Sequence, residues 1–332
     1  MGKVALIGAG PGDPALITYH GLRALQNADI IFYDRLLNPI LLYLAPEDAK
    51  LVYVGKAPEH HAYTQSEIQE KLISATKKYD NVVRLKGGDP GIFGRVEEEV
   101  QALAKHGIEY AVYPGITSAS GVSVYAGFAI TERHVSEKVF LATPTAQLQE
   151  FAQEPLAQLS AGGTIVLYMG MEKLAAVVKI MLTQGASENL PVTVVEWGSW
   201  GRQKKVVATL ATIHETVEKA GLHNPALIFI GPVAAKAATK SWFEELPRFG
   251  QKTILVSEKK LTFDELLTYT DQGADLYPVF VGAAFDERFI SLHQRLLLPL
   301  LKEDYEIIYQ GKNAPALFQD FLKEIKGGQN GR

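Results

Sequence analysis

The stretch Val82-Val83-Arg84-Leu85-Lys86-Gly87-Gly88-Asp89-Pro90-Gly91 leaves few options for the chain that contains it. A mostly apolar run, the length of a buried strand, stops at two glycines, an acid and a proline. Without a Cβ, Gly87 and Gly88 let another backbone or a ligand lie directly against the main chain. Ile92-Phe93-Gly94-Arg95 follows and opens into a Glu-rich helical pattern. A second glycine loop, Gly8-Ala9-Gly10-Pro11-Gly12-Asp13-Pro14, follows the apolar run Val4–Ile7. Two such loops after two strands point to one ligand site at the carboxyl ends of an open α/β sheet.

The remainder of the chain alternates in the same way. Strands are expected at Asp29–Asp34, Leu51–Val54, Val82–Lys86 and Tyr110–Tyr113. Thr64-Gln65-Ser66-Glu67 is a capping box, and Ile68, Leu72 and Ala75 continue one helical face. Asp13 is placed to cap a helix that has Pro14 at its first position. A second series follows, with strands at Lys138–Ala142, Thr164–Met169, Val192–Glu196, Lys205–Leu210 and Ala226–Ile230. Its helices are expected at Gln147–Leu159, Glu172–Gln184 and Thr212–Ala220, with Gly185 and Gly221 as stops. The loop Trp197–Arg202 separates two strands that can form an antiparallel hairpin. Pro247 and Gly250 mark a boundary, and Thr253–Val256 and Glu306–Tyr309 read as strands beyond it. The fold class is therefore α/β. Two consecutive α/β halves, 1–116 and 117–243, are followed by a small α/β appendage, 250–332, near the lower size limit for independent folding.

Composition narrows the function. The chain has 332 residues and a formal charge of -4, so nothing global favours nucleic acid or an anionic membrane. It has no cysteine, which excludes thiolate catalysis and cysteine-ligated metals. The histidines are scattered without the spacing of a helical metal site. Met1-Gly2-Lys3 runs straight into the first strand, and no apolar run is long enough to span a bilayer, so a cytoplasmic protein is expected.

A dinucleotide site is the first chemistry to test. Gly8-x-Gly10 follows a strand, and Asp34 ends the next one, where such a site holds a ribose. The third glycine would fall at position 13, however, which is Asp13. That acid occupies the place a pyrophosphate needs, and Pro11 removes a loop N–H. A nicotinamide-dependent oxidoreductase is thus a distant alternative.

Several motifs occur together and in order. They are Gly8–Pro14, Tyr33-Asp34-Arg35-Leu36, Val54-Gly55-Lys56, Arg84–Pro90, Phe93-Gly94-Arg95, Pro114-Gly115-Ile116-Thr117-Ser118-Ala119 and Tyr168-Met169-Gly170. The set, spread over residues 3–240, resembles the tetrapyrrole methyltransferase family. The resemblance implies S-adenosylmethionine bound between two α/β halves and a homodimer. It implies that Pro11, Gly87, Gly88, Asp89, Ile92, Thr117, Ser118, Met169 and Gly198 line the cofactor site. These residue types suit a ligand without phosphate, whose amino group and hydroxyls need a carboxylate and backbone carbonyls. Alone, Met169 would read as core packing.

Uroporphyrinogen III is the substrate the resemblance implies, with precorrin-2 as the product, for siroheme or cobalamin synthesis. Asp34 and Lys56 are implied as proton acceptor and donor, with a salt bridge ordering two loops as the alternative. A substrate with eight carboxylates needs cations, and Arg35, Lys86, Arg95 and Arg133 stand at or near strand ends. A later corrin precursor and a non-catalytic binding protein of the same fold are the other readings. The chain departs from the family pattern at Thr143-Pro144-Thr145, where Thr-Gly-His is usual, and at Glu132, where a histidine usually precedes the arginine. Residues 250–332 weakly resemble part of uroporphyrinogen-III synthase. They offer no cofactor loop, so they are expected to be dispensable for the chemistry.

Overall fold

The computed structural model describes residues 1–55, 63–144 and 148–327. The chain divides into two compact units, Met1–Ile116 together with Gly250–Arg332, and Thr117–Phe249.

The first unit is built on five parallel strands: β1 (Lys3–Gly8), β2 (Ile30–Tyr33), β3 (Lys50–Tyr53), β4 (Asn81–Lys86) and β5 (Tyr110–Tyr113). Their order is β3-β2-β4-β1-β5. Helices α1 (Tyr19–Leu25), α2 (Gln65–Ala75) and α3 (Val96–Lys105) connect them. Asp13 accepts a hydrogen bond from the Ala15 amide, but it caps only a single 3-10 turn, Pro14–Leu16. The helix proper starts after Thr18. The capping box forms as expected, with Thr64 and Glu67 each satisfying the other's backbone N–H.

Strand alternation gives the two faces of this sheet different jobs. On one face Val4, Leu6, Ile30, Phe32 and Val82 pack against Ile68, Leu72 and Leu103 of α2 and α3. On the other, Ile7, Ile31, Tyr33, Val83 and Leu85 share a core with Phe289 and Leu292 from the C-terminal segment. That segment carries three more parallel strands, β11 (Lys252–Ser257), β12 (Asp275–Phe280) and β13 (Glu306–Gln310), in the order β12-β11-β13. β12 is not among the strands expected from the pattern, which Pro278 interrupts. The strand lies at the edge of its sheet, where a missing N–H is tolerated.

The C-terminal segment is bonded to the residues after β2. The Tyr43 ring stacks on Phe289 at 4.1 Å, and its hydroxyl donates to the Pro278 carbonyl at 3.2 Å. Arg288 donates to the carbonyls of Pro46 and Ala49. Ile40, wholly buried, packs with Leu255, Leu266 and Leu276.

The second unit holds a mixed sheet of β6 (Lys138–Ala142), β7 (Gly163–Leu167), β8 (Pro191–Glu196), β9 (Lys204–Thr209) and β10 (Ala226–Ile230), in the order β6-β7-β10-β8-β9. The expected hairpin is there: β8 and β9 pair antiparallel, from Pro191 opposite Thr209 to Glu196 opposite Lys204. Helix α4 (Ser118–Tyr125) packs on it through Ala119 and Val122. Among the described residues, no helix is long and apolar enough to cross a membrane.

Candidate active site

Three loops meet at the carboxyl ends of β1, β4 and β5 in the first unit. Gly10 and Gly88 exchange backbone hydrogen bonds of 3.2 and 2.7 Å. A Cβ on Gly8 would lie 2.5 Å from the Gly115 nitrogen, and one on Gly115 would lie 2.3 Å from the Gly88 carbonyl oxygen. These glycines let the loops touch backbone to backbone. Asp89 ties them together, its two carboxylate oxygens accepting from the amides of Gly91 (2.7 Å) and Gly115 (2.9 Å). Gly87 differs. It is exposed, and a Cβ there would meet nothing nearer than 3.8 Å. Contacts among the described residues do not explain this glycine.

Backbone strain falls in the same loops. Phe93 and Arg95 have φ of 54° and 57°, values that non-glycine residues seldom adopt. Ile92 is half-buried beside them, and Pro11 is half-buried in the first loop.

An ion network lies beneath these loops. Arg84 and Lys86, two apart on β4, project from one face of the strand towards α3. Glu99 of α3 has no exposed surface. It accepts from Lys86 Nζ at 2.9 Å, Arg84 Nε at 3.3 Å and Gln65 Nε2 at 3.1 Å. Arg84 Nη2 reaches both carboxylate oxygens of Asp34, at 2.8 and 2.9 Å. Burial opposes the charge on Arg84, but Asp34 and then Glu99 outweigh it and raise the guanidinium's pKa. Burial pulls the Lys86 ammonium below its ordinary value, and Arg84 adds to that pull against Glu99.

Asp34 is thus brought onto Arg84, and its side chain remains about 30% exposed. Lys56 lies outside the described residues. The other expected cations separate. Arg35 is exposed at the end of β2, whereas Lys86 is buried on Glu99. Arg95 is exposed and makes paired hydrogen bonds of 2.7 Å to Glu98. Arg133, on the second unit, is exposed in a turn closed by Glu132 and Ser136.

In the second unit the Tyr168 hydroxyl contacts Thr117 Oγ1 at 2.7 Å and accepts from the Ala119 amide at 2.9 Å. It thereby fixes the start of α4, where Thr117 and Ser118 are half-buried. Met169 is 67% exposed with φ of 52°, so core packing does not account for it. Gly198 does have a packing reason, since a Cβ there would fall 2.3 Å from Val122 Cγ1. Its neighbours Trp197 and Ser199 are both at positive φ. Gln203 holds that loop, accepting from the Ser199 amide and donating to the Tyr125 carbonyl. Arg202 lies over the Trp197 ring at 3.8 Å. Thr145, of the departing Thr143-Pro144-Thr145, lies outside the described residues.

Sequence reasoning quoted Arg84 and Tyr168 without giving them a role, and it passed over Glu99 and Gln203. The available signal was two cations, Arg84 and Lys86, inside a strand otherwise fit for full burial. Such charges need a buried acid.

Residues 3–214 match the family described as Tetrapyrrole (Corrin/Porphyrin) Methylases. One Bacillus subtilis protein named uroporphyrinogen-III C-methyltransferase is 39% identical over 83% of this chain, a share that must extend past Gly250. This chain spans only 57% of that relative. A second Bacillus subtilis protein of the same name is 40% identical, over 74% of this chain and 95% of its own length. A solved uroporphyrin-III C-methyl transferase from Thermus thermophilus, complexed with S-adenyl homocysteine, is 34% identical. Its TM-score is 0.60, over 70% of this chain and 99% of that one. With its loop glycines, the Asp89 ties and the Asp34 strand end all in the matched region, this chain belongs to the tetrapyrrole methylase family.

Proposed function

We propose that this protein transfers methyl groups from S-adenosylmethionine to pyrrole carbons of uroporphyrinogen III, giving precorrin-2 for siroheme or cobalamin synthesis, in the cytoplasm. The observation that carries the reading is the 40% identity to a uroporphyrinogen-III C-methyltransferase across nearly all of that relative's length. The open backbone at Gly87 and the strained, exposed Met169 support it, because each is left unexplained by packing within its own unit.

When bound, S-adenosylmethionine supplies an electrophilic methyl group that an electron-rich pyrrole carbon can attack without prior activation. The protein's main task is then to hold the reactants in line. Gly87, Gly88, Ile92 and Pro11 on the first unit would take the cofactor against backbone and apolar surface. Thr117, Ser118, Met169 and Gly198 would do so on the second. Asp89 serves by bracing the loops. The methylated ring must then lose a proton, and Asp34 is our proton acceptor, with Lys56 as donor. Arg84 holds the Asp34 carboxylate in place through both of its oxygens. Lys86 is reassigned from substrate binding to holding Glu99. Arg35 and Arg133 keep their substrate roles, and Arg95 does so only if Glu98 is displaced.

The homodimer remains part of this reading. Trp242 and Val124, about half exposed and joined by a Trp242 Nε1 to Val124 carbonyl bond of 3.2 Å, offer apolar surface that a second copy would cover. The test of function is calorimetric titration with S-adenosylhomocysteine, followed by turnover of uroporphyrinogen III. Tight cofactor binding without turnover would favour the non-catalytic reading, and turnover only on a later corrin precursor would move the substrate assignment.

A further inference from the structure

An octacarboxylate needs several cations, and the structure removes two of those expected from the sequence. Lys86 is consumed by Glu99, and Arg95 is engaged by Glu98. Of the four, that leaves Arg35 on the first unit. Another cation stands close to it, supplied by the C-terminal segment. Arg295 ends the helix Ile290–Arg295, and its guanidinium lies 4.2 Å from the centre of the Tyr53 ring, at the carboxyl end of β3. The Tyr53 hydroxyl feels the charges of Arg295, Arg35 and Asp34 together. A Cβ on Gly55 would fall 2.6 Å from that hydroxyl and 2.9 Å from the Arg35 amide nitrogen, so the two crowd the same glycine.

Arg295 is half-buried and well anchored. Its Nε donates to Ser291 Oγ at 3.2 Å. Leu292, three positions before it, and Leu296, next after it, pack into the core under β2 and β3. The helix itself is pinned by Arg288 on the Pro46 and Ala49 carbonyls and by Phe289 on Tyr43. Among the described residues, no carboxylate pairs with Arg295. A fixed guanidinium with no acid partner among the described residues suits a carboxylate brought by a ligand.

We propose that the C-terminal segment completes the substrate site, with Arg295 and Arg35 flanking Tyr53 as binding residues for carboxylates of the tetrapyrrole. This rests on the methyltransferase reading for the identity of the substrate. It also gives residues 250–332 a part in the chemistry, in place of the dispensable role expected from their lack of a cofactor loop.

Deleting the segment would uncover the core around Leu41 and Leu42, so point variants of the full chain are the usable test. Binding of uroporphyrin III, the oxidised octacarboxylate, is followed by its own fluorescence, which does not depend on turnover. Arg295→Gln should bind it roughly tenfold more weakly, and Arg295→Lys should recover part of the loss. The KM for uroporphyrinogen III should rise by a similar factor, with kcat and affinity for S-adenosylhomocysteine unchanged. Equal uroporphyrin binding by wild type and Arg295→Gln overturns the proposal. So does an Arg295→Lys variant as weak as Arg295→Gln, which would make the role one of packing. Absent turnover in a wild type that binds uroporphyrin through Arg295 would count against the methyltransferase reading alone.

Discussion

The Arg84 guanidinium holds both carboxylate oxygens of Asp34, at 2.8 and 2.9 Å, while its Nε lies 3.3 Å from Glu99. One buried arginine therefore links the exposed end of β2 to an acid wholly inside the first unit. The salt bridge considered from the sequence paired Asp34 with Lys56. The ion pair seen is with Arg84, and it is compatible with Asp34 acting as a base.

Asp34→Asn separates the two roles. If Asp34 accepts the proton, turnover should fall by roughly two to four powers of ten with S-adenosylhomocysteine affinity unchanged. Near-normal turnover per folded molecule, together with a lower melting temperature, would leave Asp34 a structural role only.

Gly87 is the sharper probe of the proposed cofactor loop. Gly88 has φ of 67° and bonds to Gly10, so Gly88→Val strains the backbone whether or not a ligand binds there. Gly87 has room for a side chain. Gly87→Val should melt close to wild type and lose most of its affinity for S-adenosylhomocysteine by calorimetry. Unchanged affinity would move the site away from this loop.

Glu99 is the keystone of the ion network. Glu99→Leu leaves Lys86 buried without its acid, and should cost on the order of 3 kcal/mol in urea unfolding. The double variant Lys86→Met, Glu99→Leu should recover part of that loss. A double variant no more stable than the single one would show that the Lys86 charge is tolerated unpaired.

Much of this architecture was legible in the sequence. Short apolar runs located the strands of both main sheets, helped by the glycines, prolines and polar residues that follow them. The glycine loops after β1 and β4 were legible because their glycines are closely spaced. The pairing of Arg84 with Asp34 was not, since it joins β4 to β2 across 50 positions and depends on strand order. The place of residues 250–332 was hidden for a similar reason. Phe289 and Leu292 read as an ordinary apolar stripe, and nothing local says that the stripe covers a sheet face formed by Ile31, Tyr33 and Val83.

His293 gives the C-terminal segment an acid-sensitive point. It is buried between Tyr277, whose hydroxyl is 3.0 Å from Nδ1, and the rings of Phe289 and Phe321. Burial holds its pKa down at about 3, with Asp286 opposing weakly. The unfolded chain takes up this proton near pH 6.5, and the folded protein does not until about pH 3. Stability should therefore be unaffected by this group above pH 6.5 and decline below it, by on the order of 1 kcal/mol per pH unit. Urea unfolding of wild type and His293→Gln at pH 7 and pH 5 isolates the contribution. Parallel losses in the two proteins would contradict it.

The central claim is methyl transfer to a tetrapyrrole. The direct measurement is incubation of the full chain with uroporphyrinogen III and S-adenosylmethionine labelled in its methyl group. The account predicts label on the tetrapyrrole, on pyrrole carbons, with S-adenosylhomocysteine released in equal amount. Label that stays on the cofactor, in a protein that demonstrably binds both ligands, would contradict it.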